Sequence, residues 1–238
     1  MTAAPDASAI RPTVAVWYRG TPAGVPVADE LARIRATGFT AVMWPGRDAD
    51  RTRALARLAG ELSLAVVTPG EASLEPTRWL DVKVAEAALE VLPAQVWLAI
   101  GRGARLVSFD AGTAIGSGLE DAEGGRAPWV APALAIARVI DANAELIGQL
   151  RPAGVEAREA SGRLMLLDAG RAWVLIAANP GREAAPLTAA FPKSIPYGPW
   201  INLVDGSDMA MVSLPSHHEY RATLPSGNAR VYVVDKVR

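Results

Sequence analysis

The chain has 238 residues, half of them hydrophobic, with 24 Lys and Arg against 25 Asp and Glu and a formal net charge of −1 at pH 7. That balance offers no basic face to a nucleic acid, and the absence of cysteine removes disulfides and thiolate metal sites. The length supports one or two domains with a sizeable core.

No apolar run reaches the ~20 residues needed to cross a bilayer, and the first residues, Met1-Thr2-Ala3-Ala4-Pro5-Asp6, have neither the basic nor the apolar region of a signal peptide. The expectation is a cytoplasmic protein without a membrane or nucleic-acid partner. Residues 1–11 read as a loose arm.

From there the pattern is regular. A β-branched and aromatic run over 13–18 predicts a first strand, with Arg19-Gly20 at its end. Pro26 opens a helix with Val27, Leu31 and Ile34 on one face, and Gly38 closes it. A second strand is predicted over 39–44, stopped by Pro45-Gly46. A second helix follows over 51–62 with Leu55, Leu58 and Leu62 inward, then a third strand over 64–68 ending at Pro69-Gly70-Glu71. These strands are continuous apolar runs, as in a parallel sheet covered on both faces.

Residues 78–84 alternate, with Trp79, Asp81 and Lys83 on one face, and predict a fourth strand. Pro93 suits the first turn of a helix carrying Val96, Trp97 and Ile100, which Gly101 and Gly103 end. A fifth strand over 105–109 leaves Asp110 at its C-terminal end, where parallel α/β folds place their sites. A Gly-, Asp- and Glu-rich loop covers 113–128, and a long helix over 132–150 has Ile136, Val139, Ile140, Asn143, Ile147 and Leu150 on one side. After Arg151-Pro152-Ala153-Gly154 the grammar changes to short strands at 155–160, 164–167, 172–178, 187–191, 200–204, 209–212, 220–224 and 229–234, with turn dipeptides between them.

The run Trp97-Leu98-Ala99-Ile100-Gly101-Arg102-Gly103-Ala104-Arg105, followed by an apolar strand, resembles the final helix and strand of barrel glycoside hydrolases of the β-galactosidase-like kind. Residues 118–128 resemble the loop before their last helix. The resemblance covers roughly residues 80–238, and the first 70 more loosely. It implies a (β/α) barrel followed by a β-sandwich, and a carbohydrate as ligand. A full eight-fold barrel takes ~250 residues, whereas only about 110 precede the glycine-rich loop. The expected architecture is therefore α/β plus all-β: a shortened (β/α) barrel-like domain over 12–152, then an antiparallel β-sandwich over 153–238. The open edge of such a sheet is a hazard that a homodimer would cover.

Glycosidases need two carboxylates, about 5–5.5 Å apart for retention and about 6.5–9.5 Å for inversion. The candidates near strand ends are Glu71, Glu86 and Asp110. The resemblance implies a glutamate nucleophile ending the strand before the last helix–strand step, and Glu86 lies nearest. The resemblance also implies an Asn-Glu pair for the acid/base, and no such pair exists in the chain. Each candidate has a plainer reading: Glu86 as a first-turn helix acid, Glu71 as a loop acid, Asp110 as a turn cap. Tyr18 and Trp44 could give a sugar platform, with Arg19 and Arg47 as hydrogen-bonding cations, and Trp17 could join them; Trp17 and Trp44 could equally be core. His217 and His218 are expected at the surface, pointing to opposite faces of a strand. No metal site and no cofactor motif is present in the pattern. Two functions follow: a carbohydrate-active hydrolase using two of the three acids, or a catalytically inactive relative acting as a carbohydrate-binding or assembly module.

Overall fold

The computed structural model describes residues 11–70, 79–84, 89–121, 123–157 and 163–236, the side chains of 154–157 excepted. It divides into two compact units, and neither is continuous in sequence. One comprises Pro12–Leu89 and Ala104–Asp141; the other takes Glu90–Gly103 and Ala142–Arg238.

The first unit is built on a five-stranded parallel sheet. Its strands are β1 (Thr13–Trp17), β2 (Ala41–Met43), β3 (Ala65–Val67), β4 (Trp79–Lys83) and β5 (Leu106–Asp110), in the order β3-β2-β1-β5-β4. The first strand therefore lies between the second and the last. Steps from β1 to β2, β2 to β3 and β4 to β5 run one way across the sheet, and with right-handed crossovers these three connections lie on one face; the step from β3 to β4 runs from one terminal strand to the other, in the opposite sense. Among the described residues β3 and β4 are the terminal strands, each with one neighbour.

Helices α1 (Val27–Thr37) and α2 (Ala49–Glu61) follow β1 and β2. Pro26 precedes α1, and Gly38 ends it in the left-handed conformation at φ 116°. Asp48 caps α2, its carboxylate accepting from the amides of Asp50 and Arg51 at 2.9 Å. The inward face of α2 is Leu55 and Ala59, whereas Leu58 and Leu62, expected inside, are only half-buried. A third helix of this unit, Val130–Ala142, buries Val130, Leu134, Ile136 and Ile140. Trp129 ahead of it packs with Phe39 and Phe109, ring centroids 6.1 Å apart in both pairs.

In the second unit, α3 (Leu92–Gly101) packs on β7 (Arg163–Asp168), β8 (Ala172–Ala178) and β14 (Ala229–Asp235). Trp97 in it is 2 % exposed. The helix ends at Gly101, as expected, and a Cβ there would come 2.8 Å from Met165 Sδ. The missing side chain serves close packing on the sheet. The chain leaves the left-handed turn two residues later, at Gly103 with φ 109°.

The long helix expected over 132–150 is two: Val130–Ala142, which is α4, and α5 (Ala144–Gly148), separated at Asn143 with φ −117°. Asparagine competes for backbone hydrogen bonds and favours such breaks. Among the described residues nine further strands follow, in alternation with turns. β6 (Arg151–Ala157), β7, β8, β14, β10 (Trp200–Asn202) and β11 (Asp208–Met209) form one antiparallel sheet in the order β11-β10-β14-β8-β7-β6. β9 (Ala185–Phe191), β12 (Val212–Ser213) and β13 (His218–Leu224) form another, in the order β12-β13-β9. Residues 209–212, expected as one strand, belong to two different sheets. One apolar cluster draws on both sheets: Leu166, Leu175 and Tyr232 from the first, Leu187, Phe191, Tyr220 and Leu224 from the second. His218 is 5 % exposed rather than at the surface, since its strand turns it inward. Among the described residues no helix is long and apolar enough to cross a membrane.

Candidate functional site

Period-two alternation decides which side chains of the parallel sheet share a face. Ala15 and Trp17 of β1, Ala41 and Met43 of β2, Trp79, Asp81 and Lys83 of β4, and Leu106, Ser108 and Asp110 of β5 point one way. The parallel register then sets neighbours: Asp81 beside Ser108, Lys83 beside Asp110, Ser108 beside Ala15. The small and apolar residues lie toward β2, and the charged ones toward β4. The polar side chains on this face are joined into one network.

Asp110 is its centre. The carboxylate is 2 % exposed. Arg19 donates Nη1–H to Oδ1 at 2.6 Å and Nη2–H to Oδ2 at 2.7 Å, a two-point clamp. Lys83 Nζ also donates to Oδ2, and the Gly112 amide donates to Oδ1 at 2.9 Å. Burial alone would lift this carboxyl. The hydrogen bonds from Arg19, Lys83 and Gly112 outweigh it and hold Asp110 well below the usual carboxylate range. The Asp110 hydrogen bond likewise raises Arg19.

Asp81 forms the second node. Its Oδ1 accepts from Trp17 Nε1 at 2.6 Å and from Ser108 Oγ at 2.5 Å, and its Oδ2 lies 2.8 Å from Lys83 Nζ. Ser108 accepts in turn from Trp79 Nε1 at 3.0 Å. One ammonium therefore bridges two carboxylates. Burial works against the charge of Lys83, but hydrogen bonds to Asp110 and Asp81 raise it overall. The rings of Trp17 and Trp79 lie 6.5 Å apart at 35°. Arg19 and Lys83 both sit against Trp17, 4.8 and 5.2 Å from its ring centroid.

The loop after β5 is pinned beside this network. Gly116 exchanges backbone hydrogen bonds with Arg19 and Gly20 at 3.1 and 3.0 Å. Ser117 donates to Glu30 of α1 at 2.7 Å, and Glu30, 1 % exposed, is paired with Arg33, which also reaches Glu120.

Of the residues singled out in the sequence, Asp110 and Arg19 come together. Glu71 and Glu86 lie outside the described residues. Tyr18 alternates to the opposite face from Trp17 and is 1 % exposed. It packs against Trp44 at 5.7 Å, and burial, with the charge of Glu30, pushes its hydroxyl up to about 12. Trp44 is half-buried and donates to Thr52 Oγ1 at 3.2 Å; Arg47 is exposed. The expected platform of Tyr18 and Trp44 is thus separated by strand alternation from Arg19 and Asp110. The residues missed as site members are Asp81, Lys83 and Ser108. Their signal was the polar half of the alternation in 79–83, read across to its parallel neighbour.

No family model matches the chain, and no curated protein matches it. Solved structures do. The α-amylase of Geobacillus thermoleovorans, complexed with acarbose, aligns at a TM-score of 0.45 and 12% identity, over 90% of this chain and 58% of its own. A GH27 β-L-arabinopyranosidase from Geobacillus stearothermophilus aligns at 0.41 and 10%, over 88% and 60%. A GH30 endoxylanase from Clostridium papyrosolvens aligns at 0.41 and 8%, over 83% and 49%. The chain therefore spans about half to three fifths of the length of these proteins, and the likeness is coarse.

Proposed function

We propose that this chain is a non-hydrolysing relative of the barrel glycoside hydrolases, and that it holds a carbohydrate against Trp17 and Trp79 on the face of its parallel sheet that carries Asp110. The single observation carrying this reading is the condition of Asp110. Both of its oxygens are clamped by cations, and its proton affinity is depressed. A general acid needs a raised affinity, and a nucleophile needs a lone pair free of a bidentate guanidinium. Asp81 is likewise engaged at both oxygens, by Trp17 and Ser108 at Oδ1 and by Lys83 at Oδ2. The two indoles and the partly exposed Arg19 and Lys83 supply what sugar recognition uses: an aromatic surface edged by hydrogen-bond donors. In this reading the shortened sheet is a barrel arc, and the two antiparallel sheets are a β-sandwich accessory domain.

The test pairs a hydrolysis screen on chromogenic glycosides with binding to an oligosaccharide array. The expected result is binding without turnover, with the binding weakened by Trp79→Ala. Turnover that disappears in Glu71→Gln or Glu86→Gln would overturn the proposal in favour of a hydrolase. The terminal strands β3 and β4 are where a second copy would pair, and light scattering at micromolar concentration would reveal the homodimer or a monomer.

A further inference from the structure

The donors and acceptors of the network are unequally used, and the imbalance selects a ligand. A guanidinium has five N–H groups and an ammonium three. Arg19 spends two on Asp110, and Lys83 spends one on Asp110 and one on Asp81. Among the described residues, three N–H groups on Arg19 and one on Lys83 stay available. The acceptor side is nearly exhausted. Asp110 receives two N–H groups from Arg19, one from Lys83 and one from Gly112, which fills the about four lone-pair positions of a carboxylate. Asp81 receives Trp17, Ser108 and Lys83. Ser108 has its proton committed to Asp81.

Burial orders the same groups in depth. Asp110 is 2 % exposed and Asp81 21 %, while Arg19 is 23 % and Lys83 48 % exposed. Asp110 lies deepest and Lys83 outermost, with Asp81 and Arg19 at similar depth between them. A neutral sugar hydroxyl both donates and accepts, and one placed here would find partners for its oxygen and almost none for its proton; a buried donor left so is costly. A group that only accepts meets no such penalty.

We infer that the ligand of this face is an anionic saccharide, whose carboxylate or sulfate ester is held by Lys83 and the free edge of Arg19 while the ring lies against Trp17 and Trp79. The inference rests on the carbohydrate-binding reading above and adds the substrate class. A neutral oligosaccharide is discriminated against by its own hydroxyl protons.

The experiment is an array of matched neutral, uronate-containing and sulfated oligosaccharides, followed by calorimetry with the tightest-binding member at low and high salt. The expected result is a preference for an anionic member over its neutral counterpart of about tenfold, the scale of one charge-assisted hydrogen bond, falling as salt is raised. The sulfated and uronate arms distinguish the two anions. Lys83→Met should remove the preference, and Lys83→Arg should restore part of it. The salt dependence is read on the unaltered chain, so an unfolded variant leaves the test intact. Equal binding of neutral and anionic members would overturn the inference while the carbohydrate-binding reading stands. An array with no bound member would overturn both.

Discussion

Arg19 holds both oxygens of Asp110, 91 residues further along the chain, at 2.6 and 2.7 Å. The two residues end neighbouring strands that chain connectivity separates by three other strands, so this clamp joins the start of the sheet to its finish. Removing either side has unequal consequences, because the acid is buried and the base is partly exposed.

Arg19→Met should destabilise the protein by roughly 3 kcal/mol, since it leaves a buried carboxylate short of its main partner. Asp110→Asn should cost less, about 1–2 kcal/mol, because Arg19 and Lys83 can turn to water. Urea unfolding of both variants measures the difference. A milder effect for Arg19→Met than for Asp110→Asn would show that the clamp is not what holds Asp110.

Acid should expose the same clamp. The carboxyl of Asp110 is depressed in the folded chain, while in the unfolded chain it titrates near ~3.9. Its contribution is therefore fully present above that value and declines as pH falls toward the lower folded value. The stability gap between the natural chain and Asp110→Asn should be constant from about pH 7 to 5 and narrow below about pH 4. Thermal unfolding across that range checks it, and a gap that widened on acidification would contradict the sign.

The loop of 112–118 should loosen when its tether to α1 is cut. Ser117→Ala removes the hydroxyl that Glu30 accepts and leaves the buried carboxylate to Arg33. Amide exchange at Arg19 and Gly116, whose protons are held across this loop, should quicken by about tenfold, as for a local opening made easier by ~1.4 kcal/mol. Unchanged exchange there would mean that the backbone pair alone fixes the loop.

Gly227 should tolerate no side chain. It lies at φ 66°, and a Cβ would fall 1.8 Å from the carbonyl oxygen of Glu90. The same turn accepts the Ala94 amide at 3.1 Å. Gly227→Ala should lower stability by about 2 kcal/mol or more through strain and displacement of the α3 start. Calorimetry of the variant decides, and a loss under 0.5 kcal/mol would be inconsistent with so close an approach.

The sequence made the elements legible where periodicity was strong. β8 is found at 172–178 as expected, and β1, α1 and β5 fall within a residue or two of the patterns that announce them. Gly101 ends α3 as glycine usually does, and the nearness of Met165 adds a packing role that spacing does not show. The failures have local causes. Asn143 sits in a helical repeat that gives no warning of a break. For the site, Arg19 and Asp110 were visible as strand-end residues. Their union with Lys83 and Asp81 depended on β1 and β4 lying on either side of β5, a matter of strand order on which hydrophobic spacing is silent. Trp17 and Tyr18 look equivalent in a list of aromatics, whereas alternation sends them to opposite sides of the sheet.

The placement of β1 between β2 and β5 also has a consequence for biosynthesis. Thr13–Trp17 leaves the ribosome about ninety residues ahead of Leu106–Asp110, the strand that completes its hydrogen bonding. At ~5–20 residues per second that is an interval on the order of 5–20 seconds. Throughout it the middle of the sheet has one bare flank, open to any extended segment of another nascent chain. The protein is thus most vulnerable to mispairing at its future centre, and the arrival of a single late strand both closes that flank and delivers Asp110 to Arg19.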